Sequence, residues 1–348
     1  YMQKVHMMTE QKMEGRRQLL TTENGNRLLN SVDAFLLDCD GVIWKGDKLI
    51  DGVPQALQFL RSEGKKIIFV TNNSSKSRRQ YAAKFLSLGL VVSVDEIFST
   101  SYAASMFLRT SHFPTSSTVY VVGREGIVEE LRLAGYTAIG GPVRRILSLS
   151  FAFKYRSLRR KTTRNSLLYN LITFCNTIKP YNPISQIFIL LMCYGIQVGA
   201  VVVGLDPWIN YYKLQYATLC IRENPNCLFI ATNRDAVGHL TDSQEWPGAG
   251  AMVPAVCGST GKEPFVVGKP SQFTMDLLLR KLNMSPSRMC MVGDRLDTDI
   301  LFGESTGCKT LLVLSGVTSL SDLHHPSNSI LPDLYTNQLS DLPRLLQH

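Results

Sequence analysis

The sequence predicts an α/β protein, an open parallel sheet covered by helices on both faces, with a second α/β domain inserted into it. Three observations carry that prediction. First, four short apolar runs each end in a polar, reactive group: Ala34–Leu37 before Asp38, Ile67–Val70 before Thr71-Asn72-Asn73, Phe265–Gly268 before Lys269, and Met289–Gly293 before Asp294. Runs of four or five apolar residues bounded by polar residues or glycine read as buried parallel strands. Second, helical patterns follow such runs over Val53 to Glu63, Arg78 to Leu88 and Thr274 to Leu282. Third, positions 71 to 264 separate the second run from the third, far more than a crossover helix needs.

The inserted stretch has its own α/β order: Val119–Val122, a helix over about 125 to 133, Ala200–Val203, a helix over about 211 to 221, and Cys227–Ala231. Ligands of open α/β sheets bind beyond the carboxyl ends of the strands. Four strands of one sheet, each ending in a reactive group, therefore converge on one site.

Composition narrows the function classes. With 348 residues, 45% of them hydrophobic, and 25 Gly and 15 Pro spread along the chain, disorder, collagen and coiled coil are excluded. The 37 Lys and Arg exceed the 28 Asp and Glu, a formal charge of +9 that suggests a polyanionic partner. Nine of those bases, however, fall within 143–197, where there is no acid, so the rest of the chain holds 28 of each sign. The expectation is a small phosphorylated substrate, with no nucleic acid and no membrane as partner. The eight cysteines include no C-x-x-C pair and the six histidines show no ligand spacing, which points to a reducing compartment and no zinc.

Segment 1–30 reads as an N-terminal tail that fits neither a secretory signal nor an acid-poor transit peptide, so the expected location is the cytoplasm. A transit segment upstream of residue 1 would make it the chloroplast instead. Within 143–197 no amphipathic period survives. Pro180 to Leu205 lacks charge over a bilayer-spanning length of about 20 residues. Gln186, Gly195, Gln197 and Gly199 interrupt it, and Val198–Gly204 reads better as a buried strand.

Asp38-Cys39-Asp40-Gly41 places two carboxylates two residues apart at a strand end. A D-x-D pair alone is a weak signal, since Asp297-Thr298-Asp299 is another, and a turn-forming Asp before Gly41 accounts for it equally. Lys269 taken alone is as readily a solvated surface lysine, and Thr71 a helix N-cap. Together, the two carboxylate clusters, the threonine and the lysine describe a site for a phosphoryl group. One carboxylate can attack phosphorus and a second can move the proton. Mg²⁺ and Lys269 would offset the carboxylates that otherwise repel a phosphate dianion. Thr71 and the amides of Asn72 and Asn73 would donate to its oxygens. Gly258-Ser259-Thr260-Gly261-Lys262 lacks P-loop spacing, and Gly248-Ala249-Gly250-Ala251 fails the dinucleotide pattern.

The strings DCDGV, VTNNS, VVGKPS and MVGDRLDTDI, in this order, resemble the four motifs of haloacid dehalogenase (HAD) superfamily phosphatases that carry a large α/β cap between the second and third motifs. The likeness is strongest to the plant 2-phosphoglycolate phosphatases and 4-nitrophenylphosphatases, and spans 32–142 and 198–341. It implies a Rossmann-like parallel-sheet HAD core over 31–112 and 263–345, with the cap at 113–262. It also implies a Mg²⁺-dependent hydrolysis of 2-phosphoglycolate through an aspartyl phosphate, the alternatives being the same chemistry on pyridoxal phosphate, a sugar phosphate or 4-nitrophenyl phosphate, or an inactive binding homologue if 143–197 disrupts the cap. Asp38 would be nucleophile and metal ligand. Asp40 would be general acid/base, reaching the metal through its backbone carbonyl. Asp294 would bind the metal and Asp299 would support its waters. Thr71, Asn72, Asn73 and Lys269 would hold the phosphate. The cap's substrate-reading loop would be Asn233 through His239, with Arg234 or His239 pairing with the substrate carboxylate; Arg234 in a structural salt bridge is the competing reading. The family also implies a homodimer through the cap. Segment 143–197 matches nothing in this pattern and reads as translated intron or another gene-model error, or else as a loop excursion from the cap; peptides from it in a digest of the native protein would overturn the first reading.

Overall fold

The structure is a computed structural model that describes residues 17–142, 198–238 and 246–346. Segment 143–197 and His239 lie outside the described residues. Sixteen strands follow in chain order: β1 (Gln18–Leu19), β2 (Ala34–Leu37), β3 (Trp44–Lys45), β4 (Lys48–Leu49), β5 (Lys66–Thr71), β6 (Ile97–Ser99), β7 (Thr118–Val122), β8 (Thr137–Gly140), β9 (Val198–Val203), β10 (Leu228–Ala231), β11 (Val237–Gly238), β12 (Trp246–Pro247), β13 (Phe265–Val266), β14 (Met289–Gly293), β15 (Lys309–Val313) and β16 (Leu334–Thr336).

Twelve of these form two parallel sheets, and β3–β4 and β11–β12 are antiparallel pairs. The core sheet has the order β1-β16-β15-β14-β2-β5-β6 and the cap sheet β13-β10-β9-β7-β8. The central strands β2 and β14 are buried at every position, as strands covered on both faces must be. Side chains alternate across β2: Phe35 and Leu37 pack with Trp44, Phe59, Leu60, Phe69 and Phe85 on one face, while Ala34 and Leu36 enter a second cluster on the other. That second cluster also contains Ala104 and Leu108 of helix Thr100–Thr110, Ile127 and Leu131 of helix Glu125–Leu133, and Val121 and Val202 of the cap sheet. Core and cap thus share one layer of helices. The far face of the cap sheet is covered by helices Tyr211–Glu223 and Ala249–Thr260.

Two expectations need correction. Phe265–Val266 does not join the core sheet: it pairs with β10, Ile230 opposite Phe265, and forms an edge of the cap sheet. Its carboxyl end still reaches the site, because Lys269 follows at the junction of the two sheets. The tail assigned to 1–30 is shorter than expected. From residue 17 the chain belongs to the core: β1 pairs with β16, and helix Thr22–Ser31, capped by Thr21, buries Leu28 and Leu29 against Leu342 and Leu346. A two-residue edge strand carries no periodicity of its own, and only its partner defines it. No helix among the described residues is long and apolar enough to cross a membrane.

Candidate active site

Asp38, Thr71 and Asp294 stand where β2, β5 and β14 end, and the parallel register brings them together. Leu37 pairs with Phe69 and with Val292, and the Asp38 N–H donates to the Val292 carbonyl at 2.9 Å. Behind Asp294 the chain makes one wide π-type turn, Leu296–Ile300, a feature often found at functional sites. That turn folds Asp299 back so that its Oδ2 accepts the Arg295 N–H at 3.1 Å.

The lysine is saturated. Lys269 Nζ donates to Asp38 Oδ1 at 2.7 Å and to the Val70 carbonyl at 2.6 Å, and forms an ion pair with Asp299 Oδ1 at 2.7 Å. Its side chain is 2% exposed. Burial alone would depress its pKa, but Asp299 and Asp38 outweigh that and raise it, so the ammonium is charged.

One ammonium does not balance the acids. A carboxylate oxygen from each of Asp38, Asp294 and Asp299 lies within 4.8 Å of the others. Burial pushes the Asp38 carboxyl well above its ordinary value, against the pull of Lys269 and helped by Asp299 and Asp294. Asp294 is pushed up to about 7, first by burial and then by Asp299. Asp294 Oδ1 is buried and receives no hydrogen bond, and Asp299 Oδ1 has only the ion pair. A buried carboxylate oxygen without a partner, clustered with two further acids that share one ammonium, fits a hard divalent cation, which takes oxygen ligands and removes the repulsion.

The backbone is bare where these acids sit. A Cβ on Gly316 would lie 1.9 Å from Asp294 Oδ2, and one on Gly41, at φ +85°, would lie 2.4 Å from the same oxygen. Val317 N–H then donates to Asp294 Oδ2 at 2.7 Å.

Asp40 faces the same cleft with both oxygens held, Oδ1 by Trp44 Nε1 at 2.8 Å and Oδ2 by Asn73 Nδ2 at 3.3 Å. The asparagine side chains are used differently from the sequence expectation. Asn72 Oδ1 accepts the Lys269 N–H at 2.8 Å, while its Nδ2 donates to the Lys269 carbonyl at 3.1 Å and to Asp235 Oδ1 at 3.0 Å. Asn233 Nδ2 and Thr100 Oγ1 close on the Asn72 carbonyl at 2.7 and 2.6 Å. Asn72 therefore orients the lysine and ties the cap loop to the core, with no side-chain N–H left for a phosphate. Thr71 lines the cleft, its Oγ1 accepting the Asn73 N–H at 3.1 Å.

Arg234 does not face the cleft. It pairs with Glu263, and its side chain is 45% exposed. The cleft wall is built instead from Asn233, Asp235, Leu205, Ser74, Arg295 and Val317. Arg295 escaped sequence reasoning, although its place directly after Asp294 at a strand's carboxyl end was the available signal.

A buried aspartate against a lysine, a second aspartate two residues on, and an acidic pocket suited to a divalent cation, all under an inserted sheet, define a hydrolase that works on phosphate esters. The chain belongs to the haloacid dehalogenase-like hydrolases. A haloacid dehalogenase-like hydrolase model matches residues 35–137 and a HAD-hydrolase-like model matches 266–342. Phosphoglycolate phosphatase 2 of Arabidopsis thaliana is 56% identical over 331 residues, covering 95% of this chain and 98% of the relative. The glycerol-3-phosphate phosphatase of Mus musculus is 34% identical, covering 96% and 97%. Among solved structures, a p-nitrophenyl phosphatase from Archaeoglobus fulgidus has a TM-score of 0.67 at 29% identity, covering 91% of this chain and 100% of that one. A glycerol phosphate phosphatase from Mycobacterium tuberculosis, solved in complex with magnesium, has a TM-score of 0.66 at 25% identity, covering 93% and 78%.

Proposed function

We propose that this protein hydrolyses 2-phosphoglycolate to glycolate and phosphate with Mg²⁺ as its metal. The observation that carries the chemistry is Asp38, buried, held by Lys269 at 2.7 Å and clustered with Asp294 and Asp299. The substrate rests on the 56% identity to a phosphoglycolate phosphatase.

An Asp38 oxygen attacks phosphorus, and the ester P–O bond breaks. Asp40, fixed by Trp44 and Asn73, gives its proton to the departing alkoxide. It then takes a proton from the water that attacks the aspartyl phosphate, releasing phosphate and restoring Asp38. Lys269 draws Asp38 toward its ionised form and orients it for the attack. Asp38 and Asp294 would hold Mg²⁺, with Asp299 behind them, and the ion would neutralise charge on the transferring group.

Asp38→Asn should lower turnover by at least about 10³-fold, and EDTA should abolish it until Mg²⁺ is restored. Phosphate release from 2-phosphoglycolate, glycerol 3-phosphate, pyridoxal phosphate, a sugar phosphate and 4-nitrophenyl phosphate tests the substrate, and a preference for any of the others rejects 2-phosphoglycolate. A homodimer through the cap, checked by sedimentation, and a reducing cytoplasmic location belong to the same proposal. The six cysteines among the described residues are free thiols, in keeping with such a compartment.

A further inference from the structure

We propose that Arg295 sets substrate choice by pairing with a carboxylate that the substrate carries beside its phosphate. This deepens the phosphatase reading and rests on it.

The cleft holds two cations among its described lining residues, Lys269 and Arg295. Lys269 has no donor to offer, since Asp38, the Val70 carbonyl and Asp299 surround its ammonium. Arg234, the guanidinium expected to read the substrate, is turned onto Glu263.

Arg295 differs from both. Its Nε and Nη2 grip Asp297 at 3.1 and 2.9 Å, a bidentate pair that fixes the plane of the guanidinium. The side chain is 18% exposed, and Nη1 makes no hydrogen bond among the described residues. A fixed guanidinium with one open edge suits a planar carboxylate. Its charge persists at every working pH. Asp297 is its bound counter-charge, Asp235 and Asp294 add weaker attraction, and the Asp235 carboxyl is itself held by Asn72.

The test compares substrates that differ by the carboxylate: 2-phosphoglycolate against ethyl phosphate, and 3-phosphoglycerate against glycerol 3-phosphate, with the Mg²⁺-loaded wild type, Arg295→Met, Arg295→Lys and Asp297→Asn. In Arg295→Met, the ratio of kcat/KM for the acid to that for its neutral counterpart should fall about 10- to 150-fold, the worth of a charge-assisted hydrogen bond. Most of that fall should appear in KM for the acid. Arg295→Lys should recover part of the ratio, and Asp297→Asn should lower it less than Arg295→Met. Equal losses on acid and neutral esters, or an unchanged ratio, would overturn the proposal. A wild type that prefers 3-phosphoglycerate, with that preference lost in Arg295→Met, would sustain Arg295 and reject 2-phosphoglycolate. A wild type that hydrolyses none of the four, nor 4-nitrophenyl phosphate or pyridoxal phosphate, would reject the phosphatase reading itself.

Discussion

Lys269→Met isolates the electrostatics of the site. The substitution keeps the side chain's length and removes the only buried cation that touches Asp38 and Asp299 among the described residues. It leaves three buried carboxylates without a partner charge, and removing one member of a buried pair costs about 3–5 kcal/mol. At about 2–4 °C per kcal/mol for a chain of this size, the metal-free protein should melt about 6–20 °C lower. The loss also has a sign in pH. The carboxyls of Asp38 and Asp294 are already raised by burial and by one another, and without Lys269 they rise further. The native state then binds more protons than the unfolded chain, so stability falls as pH increases. The deficit should be larger at pH 8 than at pH 6 in EDTA, and Mg²⁺ should close part of it at pH 8. Thermal melts of wild type and variant, with EDTA and with Mg²⁺ at both pH values, read all of this. A variant that melts within 2 °C of wild type in EDTA at pH 8, on the scale of about 2–4 °C per kcal/mol, would refute the reasoning.

Two further outcomes follow from the acid cluster. Gly316→Ala puts a methyl 1.9 Å from Asp294 Oδ2, so the carboxylate must move; titration with Mg²⁺ should show at least about tenfold weaker binding, and unchanged affinity would contradict the close approach. In wild type, Asp294 is raised from 3.8 to about 7, so the metal-free protein should lose stability as pH rises from about 4 to 7. Over the same interval protons compete with the ion, and Mg²⁺ affinity should fall about tenfold for each pH unit below 7. Thermal melts in EDTA between pH 4 and 7 check the first and calorimetric titration at pH 6, 7 and 8 the second, and a pH-independent affinity would count against a protonated Asp294.

Much of the site was legible from local pattern. Asp38, Asp40, Thr71 and Asp294 announce themselves because a short apolar run followed by a polar residue encodes both a buried strand and its carboxyl end. Lys269 was found the same way, though by a run that joins the other sheet. The misreadings share a cause. The Asn72 side chain is taken by Lys269 and Asp235, 197 and 163 positions away, which no local pattern could show. Of the two readings of Arg234, substrate guanidinium or structural salt bridge, Glu263 selects the second, while Arg295 stands on the cleft wall.

The sequence by itself determined that parallel strands end in carboxylates, a threonine and a lysine, and hence that phosphoryl chemistry sits at one edge of an α/β fold. Those properties follow from burial periodicity and residue chemistry, which act over a few neighbouring positions. The tertiary structure alone decided that Phe265–Val266 extends the cap sheet and that residues 17–31 complete the core. It also decided that Lys269 has no donor to spare and that Arg295 is the cation left with an open edge. Those outcomes depend on which distant groups meet in a desolvated space, where every buried donor and acceptor takes its nearest partner and only what remains unpartnered is available to a ligand.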